Sequence, residues 1–204
     1  MFPRLLLFLV LFVPCVVVQG LAQAAPSDAQ AITSAIRERN FDRAVELSRS
    51  ALQRSPNDAR LWAFQGIALS ASGHKKEALG AYNSALRISP NYLPGLEGAA
   101  ELEYNAGSER AAALLQQILK VQPDNPTAHA MLGVLDYKRR DCPSAVKHFQ
   151  AAKDVVASQP AALTEYGTCL VNLERTEEAL LFSSACLKSS PTIRMRATTL
   201  RLSN

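Results

Sequence analysis

Residues 59–91 read ARLWAFQGIALSASGHKKEALGAYNSALRISPN, and their spacing decides how the whole chain is organised. Two apolar stretches of helical period flank Gly73-His74, and Pro90 closes the segment. Inside it, Ala78 lies twelve residues after Gly66 and seven before Ala85. The same pattern recurs along the chain: Ala44, Ala78, Ala111, Ala145 and Ala179 stand 34, 33, 34 and 34 residues apart. A second ladder, Ala51, Ala85, Ile118, Ala152 and Cys186, follows seven residues behind the first. Seven residues are two helical turns, so both ladders share a helix face. A third, twelve residues upstream, holds Ile32, Gly66, Ala99, Gly133 and Gly167. Each unit is therefore two helices, with small residues where they cross.

The period and the residues beneath it resemble the tetratricopeptide repeat family. In unit two the characteristic residues fall on Trp62, Gly66, Ala78, Tyr82, Ala85 and Pro90, with Leu69 where an aromatic is commoner. Unit four keeps Leu132, Gly133, Ala145, Phe149 and Ala152; His129 stands in the Trp62 slot, and Pro160 comes three residues late for a closing proline. Unit five keeps Gly167, Leu170, Ala179 and Pro191. Unit one is thinner, with Ala44, Ala51 and Pro56, as is unit three, with Ala99, Ala111, Leu115 and Pro123. The resemblance implies an all-α fold, a right-handed α-solenoid of about five stacked helix-turn-helix repeats. Its approximate bounds are 25–58, 59–91, 92–125, 126–159 and 160–191.

Before the array, Arg4 precedes an apolar run from Leu5 to Val18 and then Gly20-Leu21-Ala22-Gln23-Ala24. A basic start, an apolar middle and an Ala-x-Ala end make residues 1–24 a secretory signal peptide, cleaved after Ala24. A run of fourteen residues broken by Pro14 is short for a membrane anchor, which needs roughly 20 apolar residues. Lipidation at Cys15 lacks the small residues such processing favours before it. The expected location is therefore the periplasm or the exterior of a bacterium. After Pro191 comes a basic tail, 192–204, readable as a partial capping helix or an extended segment.

Local signals mark helices throughout the array. Ser27-x-x-Gln30 has the capping-box form, and Asn125-Pro126 and Cys142-Pro143 place proline at a helix start. Cleavage would leave 21 basic and 18 acidic side chains, mixed along the helices. No clustered basic stripe for nucleic acid results. Cys142, Cys169 and Cys186 remain, an odd number in an oxidising compartment. Cys186 reads as a buried helix-crossing residue and Cys142 as exposed.

Catalytic patterns are absent: the chain has no His-Glu-x-x-His, Cys-x-x-Cys or glycine-rich phosphate loop. His129, His148 and Cys142 share unit four and could converge on a metal, but packing and surface roles are the expected ones. Glu101 and Glu103 read as solvated helix residues, and Trp62 as core. Neither cofactor nor small-molecule substrate is expected, and membrane contact only through an uncleaved signal segment or a partner.

What the resemblance implies is protein binding, since stacked first helices in this family line a concave groove for a peptide or helix. The groove slots carry over to Ala63, Ile67, Ser70 and Ala71 in unit two, and Leu93, Leu96, Ala100, Glu103 and Tyr104 in unit three. In unit four they fall on Ala130, Val134, Tyr137 and Lys138, and in unit five on Thr164, Thr168, Val171 and Asn172. Ile67, Leu96, Tyr104, Val134, Tyr137 and Lys138 form the expected partner-binding site, with Lys138 meeting an acidic group. Members that clamp acidic tails place lysine and asparagine where this chain has Ala63, Ile67, Ala130 and Val134, so that specialised activity is not expected. The reading is a non-catalytic adaptor. The alternative is a permanent structural subunit of an outer-membrane, secretion or pilus assembly, and a third is an enzyme lacking its catalytic part.

Overall fold

The computed structural model describes residues 27–181 of the chain. Helix α1 is Asp28–Arg37, α2 Phe41–Arg54, α3 Ala59–Ala71, α4 Lys75–Ile88, α5 Leu93–Asn105 and α6 Arg110–Val121. They are followed by α7 Pro126–Lys138, α8 Cys142–Ala151, α9 Lys153–Ala157 and α10 Pro160–Asn172. Residues 176–181 are again helical, and no strand occurs among the described residues. The signal pattern over 1–24, the tail 192–204, Cys186 and Pro191 lie outside the described residues. Among those residues no helix is long and apolar enough to cross a membrane.

Helix starts follow the chemistry of their caps. Ser27 and Gln30 form a reciprocal capping box, and Asn40, Asp58, Asn125 and Asp141 each accept a backbone N–H from the first turn of their helix. Asp141, not Cys142, is therefore the cap of α8. The turns inside the hairpins need a left-handed residue. Gly73 supplies it at φ 85°, while Arg39, Arg140 and Glu174 adopt φ 59°, 62° and 60° in the same place. Unit four ends differently from unit two: its second helix breaks at Ala152, and Pro160 opens α10 instead of closing the unit.

Successive hairpins stack, each second helix packing on the first helix of the next unit. The alanine ladders are the reason they can. Ala44, Ala51, Ala78, Ala85, Ala111 and Ala145 have no exposed surface, and Ile118 and Ala152 almost none. A side chain on Gly66 would start 2.6 Å from the Tyr82 ring, and one on Gly133 2.6 Å from Phe149. Both glycines thus let an aromatic ring of the second helix lie against the backbone of the first. Gly98 meets the other side of Tyr82, so that ring is wedged between two units. Around Gly167 nothing lies near the missing side chain among the described residues, which end before most of the second helix of unit five.

Three further expectations are corrected. Leu96 has no exposed surface; it faces inward and joins the core with Leu115, Ile118, Ala128 and Leu132. Cys142 is buried and bonded to Cys169, with Cα atoms 5.0 Å apart, which ties α8 to α10. Glu103 is buried too, and its carboxylate meets Arg110 Nη1 at 3.2 Å across the α5–α6 hairpin. A charge out of water needs such a partner.

Candidate functional site between the first helices

The first helices share one face, but they are not evenly spaced along it. Helix α3 packs on α1 and on α5, and α10 packs on α7, whereas α5 and α7 barely meet. A crevice of about 450 Å³ opens there. Its walls are Ala100 and Tyr104 from α5 and Ala130, Met131 and Val134 from α7; Leu115 and Ile118 of α6 form the floor. Glu97 and Glu101 line it on the α5 side. Apolar walls with a few convergent polar groups are the usual make-up of a binding pocket.

The neighbouring opening, between α7 and α10, has a volume of about 460 Å³ and a different lining: Tyr137, Lys138, Arg140, Cys142, Thr168 and Asn172. Lys138 stands between the two spaces. Its Nζ lies 5.8 Å from the centroid of the Tyr104 ring, a cation–π distance. Burial, helped by the charge of Glu165, pushes the Tyr104 hydroxyl above its usual range. Burial likewise raises Glu165, against the pull of Lys138, and its Oε2 is enclosed without a hydrogen-bond partner.

Of the six expected site residues, Tyr104 and Val134 line the first space, and Tyr137 and Lys138 the second. Ile67 is half-buried on α3 and packs beside Leu69 and Tyr82, away from both. Leu96 lies beneath the surface in the core. Sequence reasoning missed Glu97, Glu101, Met131, Arg140 and Glu165. For the first two a signal existed: Glu97, Glu101 and Tyr104 fall at helical spacing on one face of α5.

Unit four holds a second polar cluster. The slot of Trp62 is a ring that latches the link between units: Trp62 Nε1 donates to the Pro56 carbonyl at 2.8 Å, and His129 Nε2 donates to that of Pro123 at 2.8 Å. In unit three, where Gly95 cannot do this, Gln117 Nε2 reaches Pro90 at 2.7 Å. The other nitrogen of His129 lies 2.9 Å from His148 Nδ1, and His148 Nε2 lies 3.7 Å from Asp136 Oδ2. Burial lowers His148 below the ordinary imidazole range, with Asp136 opposing and His129 and Lys147 adding to the shift. Cys142, held in its disulfide, is not part of this cluster. Among the described residues no three His, Cys, Asp or Glu side chains are placed to hold a metal ion.

Residues 22–162 match the family described as "Cytochrome c-type biogenesis protein H TPR domain". The chain is 31% identical over 87 residues to the peroxisomal targeting signal receptor of Saccharomyces cerevisiae, which covers 42% of this chain and 14% of that protein. It thus spans only a small part of that relative. Among solved structures, the crystal structure of MamA superposes with a TM-score of 0.67 at 13% identity, covering 79% of this chain and 88% of that one. YrrB, "a TPR protein with an unusual peptide-binding site", superposes at 0.66 and 16% identity, covering 82% of this chain and 88% of that one. The fold is therefore a right-handed tetratricopeptide-repeat solenoid.

Proposed function

The chain belongs to the family of the cytochrome c-type biogenesis protein H TPR domain, and from that premise we propose a non-catalytic adaptor that holds a peptide or helix of a partner protein. One observation carries the reading: the first helices part between α5 and α7, leaving an apolar crevice beside Tyr104 and Val134. A ring with an apolar body and a polar tip suits an anchor position in an interface. Tyr137 and Lys138 extend the contact towards α10. The peptide-binding site named for YrrB and the receptor role named for the yeast relative support this use of the fold. The array acts by binding, with no turnover, cofactor or nucleic acid. Its setting is the cell envelope of a bacterium, after export through residues 1–24, a reading supported by the segment's pattern and the family's link to cytochrome c-type biogenesis.

The test is site-specific photo-crosslinking in the host. A crosslinking residue in place of Thr127, on the crevice, should yield a discrete protein adduct, and one in place of Lys147, exposed on α8, should not. Replacing Tyr104 and Tyr137 by alanine should abolish the adduct while leaving helicity unchanged. An adduct that survives this replacement overturns the reading. A stoichiometric complex with no free protein on size-exclusion chromatography would instead favour a permanent structural subunit.

A further inference from the structure

We propose that the segment held by this face carries opposite charges in a fixed order, a Lys or Arg against Glu97 and Glu101 and an Asp or Glu against Arg140 and Lys138. The inference rests on the peptide-binding reading above and adds the chemistry and direction of the guest. Glu97 and Glu101 are exposed, line the α5–α7 crevice, and make no ion pair among the described residues. Four residues apart on α5, they present their charge on one side of the helix. Glu103, by contrast, is already neutralised by Arg110.

The adjoining space has the opposite sign. Lys138 and Arg140 line it and no carboxylate does; Glu165 nearby shares the charge of Lys138, so Arg140 is the cation left whole for a guest anion. Arg140 sits in the left-handed turn after α7, exposed and without an ion pair among the described residues. The neighbouring Arg139 approaches Asp136 at 3.8 Å, so the acid of that helix is shared by Arg139 and His148. The Tyr104 ring with Lys138 above it marks the boundary between the two fields.

A guest of one sign would meet like charge in one of the two spaces, a strong penalty on wrong partners. A phosphate backbone would be repelled by Glu97 and Glu101 for the same reason. A segment with a cation, an apolar residue and an anion in sequence satisfies both ends and seats its apolar side chain on Met131 and Val134. Reversed, it satisfies neither.

The experiment selects binders to the full chain from an unbiased library of displayed random peptides, then measures synthetic copies by fluorescence anisotropy. Selected peptides should place basic and acidic residues either side of an apolar one in one order. A copy with the charges exchanged should bind about tenfold more weakly, the scale of charge-based discrimination. Glu97→Gln with Glu101→Gln, or Arg140→Asn, which tolerates the turn, should erase that preference; both variants change exposed side chains, and circular dichroism verifies their fold. If exchanged peptides bind equally well while Tyr104→Ala with Tyr137→Ala still abolishes binding, the charge inference is overturned and the groove stands. If no peptide is selected, or the selected ones bind the tyrosine-less variant equally, the groove reading fails and the inference with it.

Discussion

The first helices of units two and three close on each other, whereas those of units three and four stand apart, although the two spacings differ by a single residue. At the first joint the Tyr82 ring enters between Gly66 and Gly98, and α3 reaches α5. At the second, Leu115 takes the place of the tyrosine and Leu132 the place of Gly98; both are buried, yet α5 and α7 separate and leave the crevice. The joint between units four and five is closed again, by Phe149 against Tyr166 with centroids 5.6 Å apart and by the Cys142–Cys169 bond. A repeat thus dictates which helices are neighbours, while a few side chains per joint set how tightly they approach. The crevice arises where that second layer of control differs.

The largest effect should come from emptying a closed joint. Phe149 is fully buried, and Phe149→Ala should cost about 3–5 kcal/mol in a urea melt followed by circular dichroism. Cutting the covalent tie at the same joint comes next. Cys142→Ala with Cys169→Ala opens a loop of 27 residues and should cost about 2–4 kcal/mol, whereas reductant should destabilise the parent and leave the double variant unaffected.

Converting the closed joint towards the open one is expected to cost less. Gly98→Leu places a side chain where the Tyr82 ring lies, and a loss of about 1–3 kcal/mol follows from overpacking. Trp62, packed beside Tyr82, should report it by fluorescence. A melt superimposable on the parent's would mean that the ring does not set this joint. In the opposite direction, Arg39→Gly relieves a left-handed residue far from the crevice and should stabilise by about 0.5–1 kcal/mol.

The smallest expected effect is the pH dependence of unit four. Because burial holds His148 below its ordinary 6.5, the unfolded chain takes up that proton at higher pH than the folded one. The contribution is whole above 6.5 and is lost as pH falls through the window beneath it. Asp136 runs the other way: its own burial lifts it above 3.8, so its contribution is present below that value and lost as pH rises past it. The parent's melting temperature should therefore decline gently from pH 7 towards pH 5, and His148→Gln should flatten the profile.

Much of this architecture was legible before any coordinates. The alanine ladders are buried as their period required, and Gly66 and Gly133 lie beneath Tyr82 and Phe149, because contacts inside a hairpin follow from helical phase alone. The site was legible only in part. Tyr104, Val134, Tyr137 and Lys138 do reach the shared face, but Leu96, one turn from Ala100, turns inward with Leu115 and Leu132. Helical phase names a face; it does not say how far one helix tilts from the next unit's helix, and that tilt decides whether a leucine is wall or core. Glu103 and Cys142 escaped for a related reason. Each is buried by a partner, Arg110 or Cys169, that becomes adjacent only when helices pack.

The thin contact between α5 and α7 also has a mechanical meaning. Stiff rods joined in series bend where the coupling is loosest, so thermal breathing of the described helices should concentrate at the boundary between the third and fourth hairpins. Slow amide exchange should therefore persist around Tyr82 and Phe149 and give way first along the α6–α7 link. A ligand lodged in that seam would act as a wedge, freezing the curvature of the superhelix around itself.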